Sequence, residues 1–363
     1  MQLQFTILGS GTSYGVPMIG CHCPVCTSHD PRNRRTRAAG WLHNADKSLS
    51  ILFDVGADMR EQALREDICA VDAVFITHFH ADHINGIDDL RGFTKINHGE
   101  VRLFAKNDVL EYIKRNFAYM FQDELKLTRG WDVPHISLNA INLDTVMIKD
   151  VPILPVPIIH GKLDIRGYRI GNFAYLTDCS CIPKDSYSLL QGLKNVVIDG
   201  LHWHPHSTHF NFEQAIEATK PLCAENVYLT HITHDIDHAV DEQKLPQGVH
   251  IAYDGLVIPV EVPDACEEEA VEETDGFLAA DDEHIAREKR KAAELRKSQW
   301  WKNELAKGKC HYCGKSFKPS ELTMDHIVPI VRGGCTTKGN VVPACKECNN
   351  KKKYMLPFEW NND

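Results

Sequence analysis

The segment His78-Phe79-His80-Ala81-Asp82-His83 places three imidazoles and a carboxylate within six residues. Core packing does not ask for such a cluster. A pair of adjacent divalent ions does, because imidazole nitrogen and carboxylate oxygen are the donors zinc and similar ions take. The segment follows the apolar run Val71–Thr77, so it reads as a loop after a strand. Three more runs end in the same way: Val156-Pro157-Ile158-Ile159 in His160, Phe173–Thr177 in Asp178, and Val227–Thr230 in His231. Ligands at strand ends along one sheet edge can converge on a single site held by rigid elements. His78, His80, Asp82, His83, His160, Asp178 and His231 therefore form one set.

The cysteines give a second kind of chemistry. Cys21, Cys23 and Cys26 lie in Gly20-Cys21-His22-Cys23-Pro24-Val25-Cys26. Three thiolates need one more ligand to close a tetrahedral zinc, and His234, three residues after His231, is the candidate. Cys310, Cys313, Cys345 and Cys348 make two C-x2-C knuckles, together a four-thiolate structural zinc site. The chain has 13 cysteines, an odd number for a disulfide framework. Its start, MQLQFTILGSG, lacks the basic and apolar regions of a signal peptide. A cytoplasmic location with metal-bound thiolates is expected, and the remaining six cysteines read as ordinary reduced residues. No apolar run approaches the roughly 18 residues that span a bilayer, so no membrane is expected as a partner.

These sites need elements to hold them. The length of 363 residues suits two domains. Residues 1–260 alternate β-like apolar runs with helical patterns at 57–66, 107–119, 185–191 and 211–220, which predicts layered α/β packing. Glu261–Glu283 holds 11 acids and no Lys or Arg, whereas the chain from Arg287 onward has 17 basic residues against 8 acidic ones. The first stretch reads as a disordered linker and the second as a module facing nucleic acid. Residues 283–306, rich in helix formers and free of Pro and Gly, predict one charged helix that leads into the last domain, packed there by Trp300 and Trp301. Residues 307–363 are too few to fold without a metal staple.

The first seven ligands, in their order, resemble the metallo-β-lactamase superfamily, over about residues 1–260. The resemblance implies an αββα sandwich. It implies that His78, His80 and His160 hold one zinc or manganese ion, that Asp82, His83 and His231 hold a second, and that Asp178 bridges them, with Asp82 counted also among the catalytic residues. With Gly9-Ser10-Gly11-Thr12-Ser13 and the Cys cluster added, the pattern is similar to the PhnP family of phosphoribosyl cyclic phosphate phosphodiesterases. That resemblance places Cys21, Cys23, Cys26 and His234 on a structural zinc and His209 near the leaving group. The flanking His202, His204 and His206 read as bystanders or substrate contacts. An RNA-clamping arm, expected of a tRNA-processing ribonuclease, is missing from the sequence, and thiolesterases and lactonases lack the Cys cluster.

Between the knuckles lie Asp325-His326-Ile327-Val328-Pro329, Arg332-Gly333-Gly334 and Gly339-Asn340, and Asn349-Asn350-Lys351-Lys352-Lys353 follows the second. This resembles HNH endonucleases of the four-cysteine type, a small zinc-stapled ββα-metal domain. The resemblance implies that His326 is the general base, that Asp325 and Asn349 hold one magnesium, manganese or similar ion, that Asn340 orients the base, and that Arg332, Lys351, Lys352 and Lys353 touch the nucleic-acid backbone. The domains expected are 1–260, a linker and helix at 261–306, and 307–363. The partners expected are a phosphodiester substrate (a cyclic phosphate or a nucleotide), DNA at the C-terminal domain, and a second copy of the chain as a homodimer. The leading expectation is a phosphodiesterase joined to a DNA endonuclease. Its alternatives are a cyclic phosphodiesterase whose tail only binds nucleic acid, and an HNH nuclease regulated by a ligand-sensing hydrolase domain.

Overall fold

A computed structural model describes residues 1–121, 133–263, 282–332, 336–337 and 340–353, with backbone alone for 282–286 and 332. The chain divides into two compact units, Met1–Cys266 and Glu267–Asp363.

In the first unit one sheet holds β1 (Gln2–Gly9), β2 (Ala39–His43), β3 (Ser50–Phe53), β4 (Ala73–Phe75), β5 (Val101–Ala105), β6 (Ile136–Ala140) and β14 (Val257–Glu261). The other holds β7 (Val146–Ile148), β8 (Val151–His160), β9 (Leu163–Ile170), β10 (Phe173–Leu176), β11 (Asn195–Asp199), β12 (Asn226–Thr230) and β13 (Val249–Ile251). Their orders are β14-β1-β2-β3-β4-β5-β6 and β13-β12-β11-β10-β9-β8-β7. The period-2 alternation of strands explains why the two sheets stack and why helices must cover them. Ile51 and Phe53 of β3 enter the core between the sheets, while Leu52 enters the layer outside the first. Val197 of β11 faces inward, while Val196 and Ile198 face the layer outside the second. The inner core is aromatic: Phe5, Phe53, Phe75, Tyr168, Phe173 and Tyr175 are fully buried, each contributing about 1.5–3 kcal/mol of burial.

The helices are α1 (Met59–Arg65), α2 (Ala81–Ile84), α3 (Arg91–Asn97), α4 (Asn107–Asn116), α5 (Ala118–Phe121), α6 (Ser186–Leu189), α7 (Phe212–Thr219) and α8 (His238–Asp241), then α9 (Asp282–Lys297), α10 (Gln299–Ala306) and α11 (Lys346–Lys352) in the second unit. Those of the first unit lie on the outer faces, which gives the expected αββα sandwich. α7 begins where its sequence dictates: Asn211 and Gln214 form a reciprocal capping box. Among the described residues no helix is long and apolar enough to cross a membrane.

In the second unit β15 (Leu322–His326) and β16 (Val341–Cys345) pair antiparallel, and α11 follows directly. The single helix expected over 283–306 is instead two. Ser298 leaves the helical conformation and its Oγ accepts from Trp301 N at 3.2 Å, capping α10. Serine offers the backbone this local bond, so helix propensity across the stretch is overruled at one residue. Trp301 is buried, as a packing role requires. Most of the expected linker, 264–281, lies outside the described residues.

Candidate metal centres and active sites

The seven ligand residues stand at or just beyond the C-terminal ends of strands. His80 caps the short helix α2 that follows β4, and Asp82 and His83 lie inside it. His78 follows β4, His160 is the last residue of β8, Asp178 follows β10 and His231 follows β12. β10, β11 and β12 run parallel, so their ends open on one edge. Two donor sets result: His78, His80, His160 and Asp178, and Asp82, His83, Asp178 and His231. Asp178 belongs to both. His83 Nε2 lies 3.2 Å from Asp178 Oδ1 and 3.4 Å from Asp82 Oδ2, and His231 Nε2 lies 3.3 Å from Asp178 Oδ2. Two donors each about 2.05 Å from a tetrahedral ion sit roughly 3.3 Å apart, so the spacing is that of ligands around an ion. The nitrogens agree. Nε2 of His78, of His83 and of His231 is buried and makes no hydrogen bond. Such orphaned atoms are costly unless something else binds them.

Charge points the same way. Burial alone would raise Asp178, but the imidazoles of His231 and His83 hold it well below the usual carboxylate range. Burial lowers His231 and Asp178 more than reverses it, to about 9. Burial lowers His78, His80 and His160, whereas against the same cost of burial the carboxylates draw protons onto the His83 and His231 rings. A divalent cation can replace those protons.

Three of the rings are fixed through their other nitrogen. His83 Nδ1 donates to Asp54 at 2.8 Å. Thr77 Oγ1 donates to the same carboxylate at 3.0 Å and therefore accepts from His78 Nδ1 at 3.0 Å. His160 Nδ1 donates to Thr208 O at 2.7 Å. All three rings thus present Nε2 to the centre, as ligating histidines do when a second residue sets the tautomer. Asp54 escaped the sequence reading. Its one visible signal was the Asp that ends the Leu52-Phe53 run, and only the strand pairing reveals that it sits beside the next strand's histidines. Asp54, Asp178 and His231 have left-handed backbones, with φ of 62°, 55° and 62°, a conformation that gathers at functional sites. Gly56 completes the loop packing: a Cβ there would lie 1.9 Å from Asp82 O.

His209 sits beside these ligands, its ring 4.6 Å from that of His231 and 4.7 Å from that of His160. Its Nδ1 is 2.7 Å from Asp199 Oδ2, a fully buried carboxylate at the end of β11. Burial, then the His231 ring, lowers His209 to about 4, and burial raises Asp199; both shifts favour a neutral ring. An open cavity of about 330 Å³ adjoins it, lined by Thr12, Ser13, Tyr14, His202, His206 and His234 among others. His202 and His206 therefore border the cavity; no lining role falls to His204. Cys21, Cys23, Cys26 and His234 form a third donor set, with His234 Nδ1 3.4 Å from both Cys21 Sγ and Cys23 Sγ.

In the second unit the sulfurs of Cys310, Cys313, Cys345 and Cys348 converge. Cys345 N donates to Cys310 Sγ at 3.3 Å and Cys348 N to Cys345 Sγ at 3.5 Å, bonds that favour thiolates. Asp325, His326 and Asn349 line one open cavity of about 680 Å³ with Lys289, Asn350 and Lys353. Thr336 Oγ1 donates to Glu288 O at 2.9 Å, so it accepts from His326 Nε2 at 2.9 Å. That leaves His326 Nδ1 as the basic nitrogen. Glu288 and Thr336 were not singled out in the sequence; nothing in their spacing marks them. Asn340 pins the loop beyond the histidine, with Oδ1 accepting from Val328 N at 2.8 Å and Nδ2 donating to Val328 O at 3.0 Å.

The expected backbone contacts need correction. Lys352 is fully buried; its Nζ donates to His326 O at 2.7 Å and lies 3.0 Å from Asp325 Oδ2. It braces the cavity wall and has no surface to offer a phosphate. The helical period explains this: Lys352 is on the inner face of α11, while Lys351 is exposed and paired with Glu347 at 2.9 Å. Lys353 lines the cavity. The Arg332 side chain lies outside the described residues.

Residues 50–232 match the model of the beta-lactamase superfamily domain, and residues 310–354 match that of the HNH endonuclease. Among solved structures, a diphosphatase from the PhnP family is similar at 38% identity and a TM-score of 0.67, covering 72% of this chain and 98% of that chain. Among curated proteins, an octanoyltransferase of Porphyromonas gingivalis is 36% identical over 257 residues, 70% of this chain and 51% of that protein. Ribonuclease Z 1 of Schizosaccharomyces pombe is 24% identical over 221 residues, 54% of this chain and 27% of that protein. The chain spans about half and about a quarter of the lengths of these last two.

Proposed function

The chain belongs to the PhnP family of the metallo-β-lactamase superfamily and carries an HNH endonuclease domain, and from that premise we propose that it hydrolyses phosphodiesters at two separate metal-dependent centres. In the first unit His78, His80 and His160 would hold one zinc or manganese ion, Asp82, His83 and His231 the second, and Asp178 both. The ions would supply an activated water and neutralise charge on the phosphoryl group. The chain's own residues do the rest. Asp54, Thr77 and Thr208 aim the ligating rings. Asp199 holds His209 by Nδ1 with its other nitrogen toward the leaving group. A neutral His209 gains a proton only once the substrate's negative charge has arrived, which suits an acid that acts late. The membership of Asp178 in both donor sets is the observation that best supports this reading.

The cavity beside His209 has the volume of a small-ligand site, so a cyclic phosphate or a nucleotide ester is the favoured substrate. A diphosphate linkage is the second reading, favoured by the 38% identity to the diphosphatase. In the second unit His326 would act as general base through Nδ1, Asp325 and Asn349 would hold a magnesium or manganese ion, and the substrate would be DNA. Cyclic 2′,3′-nucleotides and a dinucleotide diphosphate, offered to wild type and His209→Ala, test the first centre. Turnover of one class should fall at least tenfold in the variant; equal turnover by both proteins removes His209 from the mechanism.

A further inference from the structure

Helix α9 is held in the second unit by a narrow face. Glu288 and Ala292 are 0% and 2% exposed, and Leu295 is half-buried, an i, i+4, i+7 stripe. The Glu288 carboxylate accepts from Thr336 N at 2.6 Å and pairs with Lys291 at 2.7 Å. α9 is therefore seated on the segment that carries Thr336, which itself holds His326. The helix is part of the nuclease module and not merely an approach to it.

The remaining face is exposed and cationic. Lys289, Arg290, Arg296 and Lys297 lie on it, with Glu294 the one exposed acid from 287 to 297. A solvated helix could carry such charges for solubility alone. Two observations separate this helix from that case. Lys289 lines the same cavity as Asp325, His326 and Asn349. And α11 supplies fewer free cations than its lysine run suggests, since Lys352 is buried and Lys351 is paired with Glu347. A module that cuts a polyanion needs cations beside its scissile bond, and α9 supplies them from the opposite end of the module's sequence.

We propose that the exposed face of α9 is a phosphate-backbone contact surface for a DNA duplex, continuous with the nuclease cavity through Lys289. The contacts are to backbone phosphates, so they carry no base preference. The proposal rests on the HNH reading of Asp325, His326 and Asn349.

The test uses full-length protein and a fluorescent 20-base-pair duplex, with affinity measured as a function of salt for wild type and for Lys289→Ala/Arg290→Ala/Arg296→Ala. Alanine keeps the helix, and none of the three side chains is buried, so folding is retained. The slope of log affinity against log salt should fall by about one for each phosphate that the helix no longer neutralises, and affinity near 0.1 M salt should drop at least tenfold. An unchanged slope and affinity overturns the proposal, as does a wild type that binds no duplex, or a variant that loses binding to phosphatidylserine vesicles alone. Plasmid nicking by wild type and His326→Ala, run beside it, keeps the two readings apart. If nicking depends on His326 while the triple variant binds like wild type, the α9 surface fails and the nuclease stands. If wild type does not nick while the triple variant binds more weakly, the surface stands and the nuclease reading fails.

Discussion

Asp54 gives the sharpest test of how the first centre is built. Its carboxylate is fully buried, 2.8 Å from His83 Nδ1, and it also accepts from Thr77 N at 2.8 Å. Asp54→Asn is the informative change. Its left-handed backbone, φ 62°, is one that asparagine tolerates and alanine does not. The amide oxygen can still accept from Thr77, but the charge that polarises His83 is gone and the amide NH2 competes for the wrong tautomer. Loss of a carboxylate behind a ligating histidine costs about 10–100-fold in metal affinity, or about 1.4–2.7 kcal/mol. The ion held by Asp82, His83 and His231 should be affected most, because His83 contacts Asp54 directly and His78 only through Thr77. Competition with a chromophoric chelator should therefore show two tight ions at the dinuclear centre in wild type and one of them weakened in the variant, with the zinc at the Cys21 site unchanged. Equal affinities for both ions in the two proteins would refute the assignment of Asp54.

The second unit carries further expectations. Glu288→Ala leaves the buried Thr336 N–H without its acceptor, so it should destabilise that unit by about 1–3 kcal/mol, read by denaturant unfolding followed through Trp301. The Lys291 ammonium, then the Thr336 N–H, hold Glu288 at about 2, below its usual 4.5. A depressed carboxyl stabilises the fold above its unfolded value and loses that contribution as pH falls. The stability gap between wild type and Glu288→Gln should thus be constant from pH 7 to about 5 and narrow from about 4.5 toward 2; a gap that widens there contradicts the sign. Zinc withdrawal by a strong chelator, or Cys345→Ser, should unfold the second unit while the first keeps its near-ultraviolet signal. A second unit that stays folded without zinc would show that its apolar core suffices.

Most of the first centre was legible because its ligands follow long apolar runs, and a strand's end is visible in sequence. β8, β10 and β12 are such runs, and His160, Asp178 and His231 close them. The same logic missed β9, where Leu163-Asp164-Ile165-Arg166 mixes charge into a strand whose Arg166 pairs with Asp164 at 2.6 Å, and the three-residue β7 and β13, too short for periodicity. Asp54 and Asp199 were invisible because their roles come from sheet pairing, which single-strand patterns do not contain, and Thr208 because it acts through a backbone carbonyl in the loop after β11. In the second unit the knuckles and Asp325-His326 stood out by spacing. Lys352 misled because composition records a positive charge and not the face of α11 on which it falls. Ser298 shows the reverse: one capping residue divided a stretch whose average propensity argued for continuity.

The central claim is two independent hydrolytic centres in one chain. Full-length protein should be given bis(p-nitrophenyl) phosphate and supercoiled plasmid, comparing wild type, Asp178→Ala and His326→Ala. Asp178→Ala should lose ester hydrolysis and keep nicking, and His326→Ala should do the opposite. Plasmid cutting that disappears with Asp178→Ala and survives His326→Ala would contradict the claim, making the first unit the nuclease and the second an accessory.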